Sequence, residues 1–222
     1  MLDSTTDLKS MLTRPDLVCT DAFLGGKWVQ AKDGKTFDVT NPARGDVIAK
    51  VADLSRAEIA QGIDAAEKAR HAWAKRTGKD RANVMRKWFD LMMENQEDLA
   101  IIMTAEQGKP MTESRGEITY GASFVEWFAE EAKRNYGETI PGHQPNLRLT
   151  VIKQPIGVAA AITPWNFPNA MIARKVAPAL AAGCGFVVRP ASLTPLSALA
   201  MGKLAEEAGI PEGLFSVVTT TS

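Results

Sequence analysis

The stretch that decides the fold is residues 158–192, which read VAAAITPWNFPNAMIARKVAPALAAGCGFVVRPAS. An apolar run, Val158–Ile162, is followed by a polar turn, residues 163–166, and then by a long helix-like segment. A second apolar run, residues 186–188, ends in a second polar turn, residues 189–192. Short apolar runs separated by a helical segment predict a βαβ unit with buried parallel strands. Because open sheets bind ligands just past the carboxyl ends of their strands, both turns should lie over one crevice, the candidate site.

A second crossover and a third strand follow. Thr194 is a good N-cap residue, Pro195 suits the first helical position, and Gly209 marks the end of the helix. Residues 214–218 predict a third parallel strand, so the three strands and two crossovers outline a nucleotide-binding half-sheet. A sheet whose last strand is residues 214–218 has an uncovered edge, which predicts marginal stability and aggregation.

The chain before residue 158 predicts small antiparallel strands and then helices. Residues 1–20 lack periodicity and predict a mobile or loosely packed arm, whereas residues 23–51 alternate apolar segments with turn signals, as hairpins do. Ser55 and Glu58 have the spacing of a capping box and begin a helix. Its inward stripe is predicted to contain Ile59, Ile63, Ala66 and Trp73.

Three more helices are predicted, over residues 80–95, 97–107 and 112–134. Residues 140–153 then alternate apolar and polar side chains, which predicts a strand with one solvent-exposed face. The fold class is therefore α/β, an open parallel, Rossmann-like sheet with N-terminal helices and small antiparallel strands.

Composition excludes several classes of partner. The 222 residues contain 26 basic and 26 acidic side chains, without a dense basic block, which argues against nucleic acid and against a membrane surface. The first residues form no apolar signal segment, and no apolar run approaches about 18 residues. We expect a soluble, cytoplasmic protein.

Two cysteines and one glycine pair offer weak motifs. Cys19 and Cys184 are far apart and have no metal-ligand spacing, so we expect neither a metal site nor a disulfide framework. Cys184 enters an apolar strand, where a thiol packs as a small apolar group. Gly183 and Gly185 form G-x-G, but Val188 replaces the third glycine, so the dinucleotide fingerprint is absent, as is a P-loop.

Several motifs carry a resemblance to a known family. ITPWNFP, AAGC and VVRPAS resemble the aldehyde dehydrogenase superfamily, and VIKQPIG, EQGKP and FVEWFAEE are similar to its NADP-preferring succinate-semialdehyde dehydrogenases. The resemblance runs over residues 23–218, and because family members are much longer, it implies a truncated, amino-terminal part. It divides the chain into an arm, the N-terminal strands and helices of the cofactor domain, an oligomerisation strand segment and an incomplete dinucleotide-binding half: residues 1–20, 21–138, 139–153 and 154–222.

The resemblance implies NAD(P)-dependent oxidation of an aldehyde to a carboxylic acid, first of all succinate semialdehyde to succinate. The full-length enzyme is implied to be a homo-oligomer acting on a small-molecule aldehyde. The cysteine nucleophile and the glutamate base would lie outside this sequence, so the chain alone is expected to be inactive. The alternative is a non-catalytic remnant that binds nucleotide or pairs with a full-length subunit.

Asn166 is the predicted catalytic residue. Addition of a thiolate to an aldehyde develops negative charge on the carbonyl oxygen, which a fixed amide N–H stabilises. Pro164 and Pro168 stiffen the turn that holds it. By spacing alone, Asn166 could equally cap a helix that starts near Phe167.

The two turns are predicted to bind the cofactor. The resemblance assigns Ile162, Thr163, Pro164, Trp165 and Asn166 to the first set of cofactor contacts. It assigns Arg189, Pro190, Ala191 and Ser192 to the second set. A cation and a hydroxyl just past a parallel strand suit the 2′-phosphate of NADP, although NAD stays possible. The alternatives are a core aromatic for Trp165 and a solvated strand-end side chain for Arg189.

Arg174 is the predicted substrate-binding residue. It lies eight residues after Asn166, about two helical turns, and the resemblance implies that it pairs with the substrate carboxylate. The alternative is an ordinary surface arginine beside Lys175.

Overall fold

The computed structural model describes residues 8–221. Among its α-helices are α1 (Arg56–Ala74), α2 (Gly78–Glu94), α3 (Gln96–Gln107), α4 (Met111–Glu131), α5 (Ala170–Ala182) and α6 (Pro195–Ala208). The same residues contain nine strands: β1 (Ala22–Leu24), β2 (Lys27–Val29), β3 (Thr36–Thr40), β4 (Val47–Ala52), β5 (Glu138–Pro141), β6 (Arg148–Val151), β7 (Val158–Ile162), β8 (Gly185–Arg189) and β9 (Phe215–Val217). No helix of this part of the chain is both long and apolar enough to cross a bilayer.

The main sheet has five strands in the order β2-β1-β9-β8-β7. β7, β8 and β9 are parallel, with Ala160 opposite Val187 and Val187 opposite Ser216, which confirms the predicted βαβαβ unit. The predicted open edge at the third strand is wrong, because β1 pairs antiparallel with β9 through Phe23 and Val217. The two edge strands of the described five-stranded sheet are β2 and β7.

Apolar side chains cover both faces of this sheet. Val187 of β8 packs in a cluster with Ala66 of α1, whereas its neighbours Phe186 and Val188 belong to the larger helical cluster. α1 approaches β8 so closely that a Cβ at Gly185 would lie 2.8 Å from the Ala66 carbonyl oxygen. The buried β8 therefore reads as a continuous apolar run, as strands covered on both faces do.

The predicted helix starts and ends are confirmed to within a few residues. Ser55 and Glu58 form a complete capping box at the start of α1, and Gly108, with φ 84°, ends α3. Trp73 is buried and donates from Nε1 to the Leu180 carbonyl, 2.8 Å away, which ties α1 to α5. Ile63, predicted to face inward, is 44% exposed, so that part of the stripe prediction is wrong.

Two segments differ from expectation. Residues 8–20 are not loosely packed, because Leu17 and Val18 are buried, and Asp98 accepts from the backbone N–H groups of Thr13 and Arg14; the rest of the predicted arm lies outside the described residues. β5 and β6 form a two-stranded hairpin whose residues are exposed on both faces, rather than a strand with one buried face.

Candidate functional site

The turns after the three parallel strands lie side by side at the carboxyl ends of those strands. The Thr163 N–H donates to the Arg189 carbonyl oxygen at 3.1 Å, which joins the first turn to the second. Arg189 Nη2 donates to the Thr220 carbonyl oxygen at 3.1 Å, which joins the second turn to the third, residues 218–221 after β9. Thr221 closes the third turn by donating from its N–H and Oγ1 to Asp53, at 2.8 and 2.7 Å. The predicted juxtaposition of the polar turns is therefore present.

Asn166 lies on the exposed part of the first turn. Its side chain makes no hydrogen bond to any residue of 8–221, while its carbonyl oxygen accepts from Lys109 Nζ at 3.0 Å. The capping interpretation of Asn166 is wrong, because α5 starts at Ala170 and Asn169 occupies the N-cap position. A free amide is therefore presented above the strand ends.

The neighbours of Asn166 are mostly open to solvent. Ile162 is 77% exposed and Trp165 is 52% exposed, so the interpretation of Trp165 as a core aromatic is wrong. Pro164 is exposed as well, and only Thr163 of this turn is buried. The first turn thus offers an apolar and aromatic surface beside the Asn166 amide.

The second turn is more enclosed than the first. Pro190 is buried, whereas Ala191 and Ser192 are half-buried. Arg189 is half-buried and its Nε is buried without a hydrogen-bond partner, which does not fit a freely solvated strand-end side chain. Its guanidinium is held by the third turn but keeps unused donors.

A buried ion pair lies behind the first turn. Lys109, just after α3, pairs with Glu117 of α4, and both side chains are almost fully buried. Glu117 Oε1 also accepts from the N–H groups of Asn169 and Ala170, at 2.9 and 3.1 Å. A carboxylate at this position satisfies orphan donors at the start of α5 and complements the helix dipole.

A second buried glutamate caps α6 in the same way. Glu106 of α3 accepts from the N–H groups of Leu196 and Ser197 at 2.7 and 2.8 Å, while the Oγ1 of Thr194, the expected capping group, is buried without a partner. Burial raises the pKa of Glu106 to about 8, against the lowering effect of these donors. Helices from the N-terminal part of the chain therefore cap both crossover helices.

Six buried side-chain polar atoms of residues 8–221 have no hydrogen-bond partner. They belong to the first two turns and to the starts of the helices that follow them: Thr163 Oγ1, Asn169 Nδ2 and Oδ1, Arg189 Nε, Thr194 Oγ1 and Ser197 Oγ. Buried polar groups in proteins are normally paired, so these atoms stand out from the rest of the described interior.

Arg174 lies on the exposed side of α5. Its guanidinium carbon is 5.4 Å from the centroid of the Phe124 ring, and no carboxylate pairs with it in the described part of the chain. Burial, together with the nearby Arg174, lowers the pKa of Lys175. Two adjacent cations are thus exposed on α5, while the surface-arginine interpretation stays open.

Neither cysteine has the environment of a nucleophile. Cys184 is 3% exposed and packs at the start of β8. Burial raises the pKa of Cys19 to about 12. Across residues 8–221, His, Cys, Asp and Glu side chains form no group of three that could hold a metal ion.

Lys109, Glu106 and Glu117 are the site residues that the sequence analysis missed. EQGKP contains two of them, but the motif served there only as a resemblance. A usable signal was present, since Glu117 precedes Gly121 and Val125 at helical spacing and Glu106 follows Ile102 by four residues. A carboxylate on a buried helical stripe is rare unless it is paired.

Comparison with known proteins gives a consistent result. A family model described as the aldehyde dehydrogenase family matches residues 28–222. The glutarate-semialdehyde dehydrogenase of Pseudomonas aeruginosa is 63% identical over 198 residues, which make up 89% of this chain and 41% of that enzyme. The NADP(+)-linked succinate-semialdehyde dehydrogenase of Escherichia coli is 58% identical over 208 residues, or 94% of this chain and 43% of that enzyme.

A solved structure has the same fold. The crystal structure of an aldehyde dehydrogenase from Brucella melitensis biovar abortus matches with a TM-score of 0.94 at 60% identity, covering 95% of this chain and 44% of that one. The chain thus spans about two fifths of the length of the relatives it matches.

Proposed function

Because the chain belongs to the aldehyde dehydrogenase family, we propose that it supplies the cofactor turns and the oxyanion donor of an enzyme that oxidises a carboxylate-bearing aldehyde with NADP. Succinate semialdehyde is the first candidate substrate. One observation carries the proposal. The Asn166 side-chain amide has no partner within residues 8–221, while Lys109 Nζ donates to the carbonyl oxygen of the same residue.

Asn166 is proposed to act on the aldehyde oxygen. When a thiolate adds to the aldehyde, this oxygen gains negative charge, and an amide N–H already in place stabilises that charge without reorganisation. Cys184 is buried and the pKa of Cys19 is raised, so we assign the thiolate to a part of the enzyme outside this chain. The water-activating base is assigned there too.

The nicotinamide cofactor, when bound, accepts a hydride from the substrate. The residues proposed to hold it are those of the two turns: Ile162, Thr163, Pro164, Trp165, Asn166, Arg189, Pro190, Ala191 and Ser192. The unpartnered Thr163 Oγ1 and Arg189 Nε support this proposal because both lie at the crevice and need polar partners. The Arg189 guanidinium is suited to the extra phosphate of NADP.

Arg174 is proposed to bind the substrate carboxylate. Its guanidinium lies over the Phe124 ring and has no carboxylate partner among the described residues, and Lys175 adds a second positive charge nearby. The relatives named above act on glutarate semialdehyde and succinate semialdehyde, and both of these aldehydes end in a carboxylate.

The experiment is a chimera in which this chain replaces the matching 43% of the Escherichia coli enzyme, assayed for NADPH formation. Asn166→Ala should lower kcat by about 10²–10³-fold, because one oxyanion donor is lost. Asn83→Ala, on the exposed face of α2, is the matched control. Unchanged turnover in Asn166→Ala would exclude the oxyanion role.

The same chimera tests the substrate. Arg174→Ala should raise the KM for succinate semialdehyde by about 10-fold or more, because this aldehyde carries a carboxylate. The KM for butanal, which has no carboxylate, should stay unchanged. Equal KM changes for both aldehydes would contradict the assignment. If the chimera binds NADP without turnover, the non-catalytic alternative stands.

The exposed hairpin β5–β6 supports the proposal of a homo-oligomer. Ile140, Leu149 and Val151 are 39%, 45% and 44% exposed, and the hairpin pairs with no other strand of the described chain. Such an edge is suited to pairing with another subunit. Light scattering on the chimera should give the mass of a dimer or larger, and a monomer would contradict this.

A further inference from the structure

We infer that Lys109 and Glu117 are positioning residues, which fix the turn that presents Asn166. The inference rests on the proposed function, in which the Asn166 amide is the oxyanion donor. Neither residue touches the reacting atoms; both act through the backbone of residues 166–170.

Lys109 holds the outer part of this turn. Its side chain is 9% exposed, and Nζ donates both to Glu117 and to the Asn166 carbonyl oxygen, the latter at 3.0 Å. The same ammonium lies 4.4 Å from the centroid of the Phe167 ring, within the range of a cation–π contact. A single buried cation therefore contacts two successive residues of the turn.

Glu117 holds the inner part of the turn. One carboxylate oxygen binds Lys109, and the other accepts from the N–H groups of Asn169 and Ala170. Gly121, one turn further along α4, lets the helices approach closely, because a Cβ there would collide with Asn169 Oδ1. The pair thus connects both ends of the segment 166–170 to α4.

Stability alone does not account for this ion pair. Buried pairs lose much of their attraction to desolvation, and apolar replacements of similar volume are often neutral or stabilising. The position of a donor matters far more for catalysis, because a displacement of about 1 Å can cost about 10²-fold in rate. Asn166 itself is exposed and has no side-chain partner in residues 8–221, so its backbone is the part that can be fixed.

The test uses the 222-residue chain and the double variant Lys109→Met/Glu117→Gln. Removing both charges leaves no unpaired buried ion, and the Gln oxygen can still accept from Asn169 and Ala170. The control is Lys50→Met/Asp38→Asn, which removes an exposed pair at 2.6 Å between β4 and β3. Lys109→Met alone, in which Glu117 still accepts from the N–H groups of Asn169 and Ala170, replaces the double variant if that fails to fold.

The readout is the ¹⁵N backbone order parameter at Asn166 and Phe167. We expect it to fall from about 0.85 to below about 0.6 in the double variant, with the rest of α5 and the control unchanged. Unchanged order at both residues in a folded variant would overturn the inference.

Turnover in the chimera separates this inference from the function on which it rests. We expect the double variant to lower kcat by about 10–100-fold, because the oxyanion donor on this turn is displaced. Full turnover in the double variant, with Asn166→Ala inactive, would overturn the positioning role and keep the proposed function. If the double variant loses order at Asn166 and Phe167 but Asn166→Ala keeps full turnover, Lys109 and Glu117 still fix the turn. The turn would then have no catalytic role, which would overturn the inference about catalysis and refute the proposed function.

Discussion

Replacing Glu106 by alanine should destabilise the protein severely. The substitution removes the acceptor of two buried N–H groups, those of Leu196 and Ser197 at the start of α6. Each orphaned buried donor costs about 1–3 kcal/mol, so the free energy of unfolding should fall by about 2–6 kcal/mol. That is a large part of the 5–15 kcal/mol, roughly, that stabilises a typical domain.

The effect is measurable by thermal and urea unfolding of the 222-residue chain. For a domain of this size each kcal/mol lowers Tm by about 2–4 °C, so Glu106→Ala should unfold about 5–20 °C earlier. Glu94→Ala, at the exposed end of α2, is the control and should stay within about 0.5 kcal/mol of the wild type. A loss below about 1 kcal/mol in Glu106→Ala would refute the capping argument.

The pH dependence of stability gives a second test of the same residue. Burial raises the Glu106 pKa to about 8 from 4.5, so the folded protein holds a proton that the unfolded chain releases. The resulting stability is fully present below the unfolded pKa and is lost as pH rises through the folded pKa. The Glu106→Gln variant does not titrate at this position. Relative to it, the free energy of unfolding of the wild type should fall by up to about 1.4 kcal/mol per pH unit between pH 5 and 8. A difference that stays constant across this range would contradict the raised pKa.

Two further substitutions test the cofactor turn and the helix contact. Arg189→Ala should weaken NADP binding by about 10–100-fold and NAD binding by less than about 3-fold, because a charged hydrogen bond to phosphate contributes about 1.5–3 kcal/mol; calorimetric titration showing equal losses would contradict this. Gly121→Ala should destabilise the protein by about 1–3 kcal/mol through collision with Asn169. Gly116→Ala on the same helix, where a Cβ meets nothing within 4 Å, should stabilise it by about 0.5–1 kcal/mol. Urea unfolding that gives both alanines the same sign would exclude the close contact.

The parts of the fold that are encoded locally were predictable. Apolar runs gave β7 and β8, and the Ser55 capping box gave the start of α1, because each signal lies within a few residues of the element that it specifies. The pairing of β1 with β9 joins residues almost two hundred positions apart, and no local pattern records it. The wrong prediction of an open edge at β9 has this cause.

In the candidate site, too, local features were predictable and long-range contacts were not. The two polar turns follow directly from the strands, whereas Glu106 reaches α6 across 90 residues and Glu117 reaches α5 across 52. Local reasoning assigned the capping of α6 to Thr194 and gave Asn166 as an alternative cap for α5, because these were the nearest suitable side chains. In the structure, the buried side chains of Glu106 and Glu117 accept from the N–H groups at the starts of α6 and α5. The Asn166 amide has no partner within residues 8–221.

The unpaired side of β7 has a consequence for how the crevice is completed. In a doubly wound sheet the fourth strand lies beyond the first, and the ligand binds at the topological switch point between them. β7 is the first strand of the parallel set, and within residues 8–221 no strand lies on its outer side. The N–H and C=O groups on that side of β7 are therefore open to pairing with a further strand.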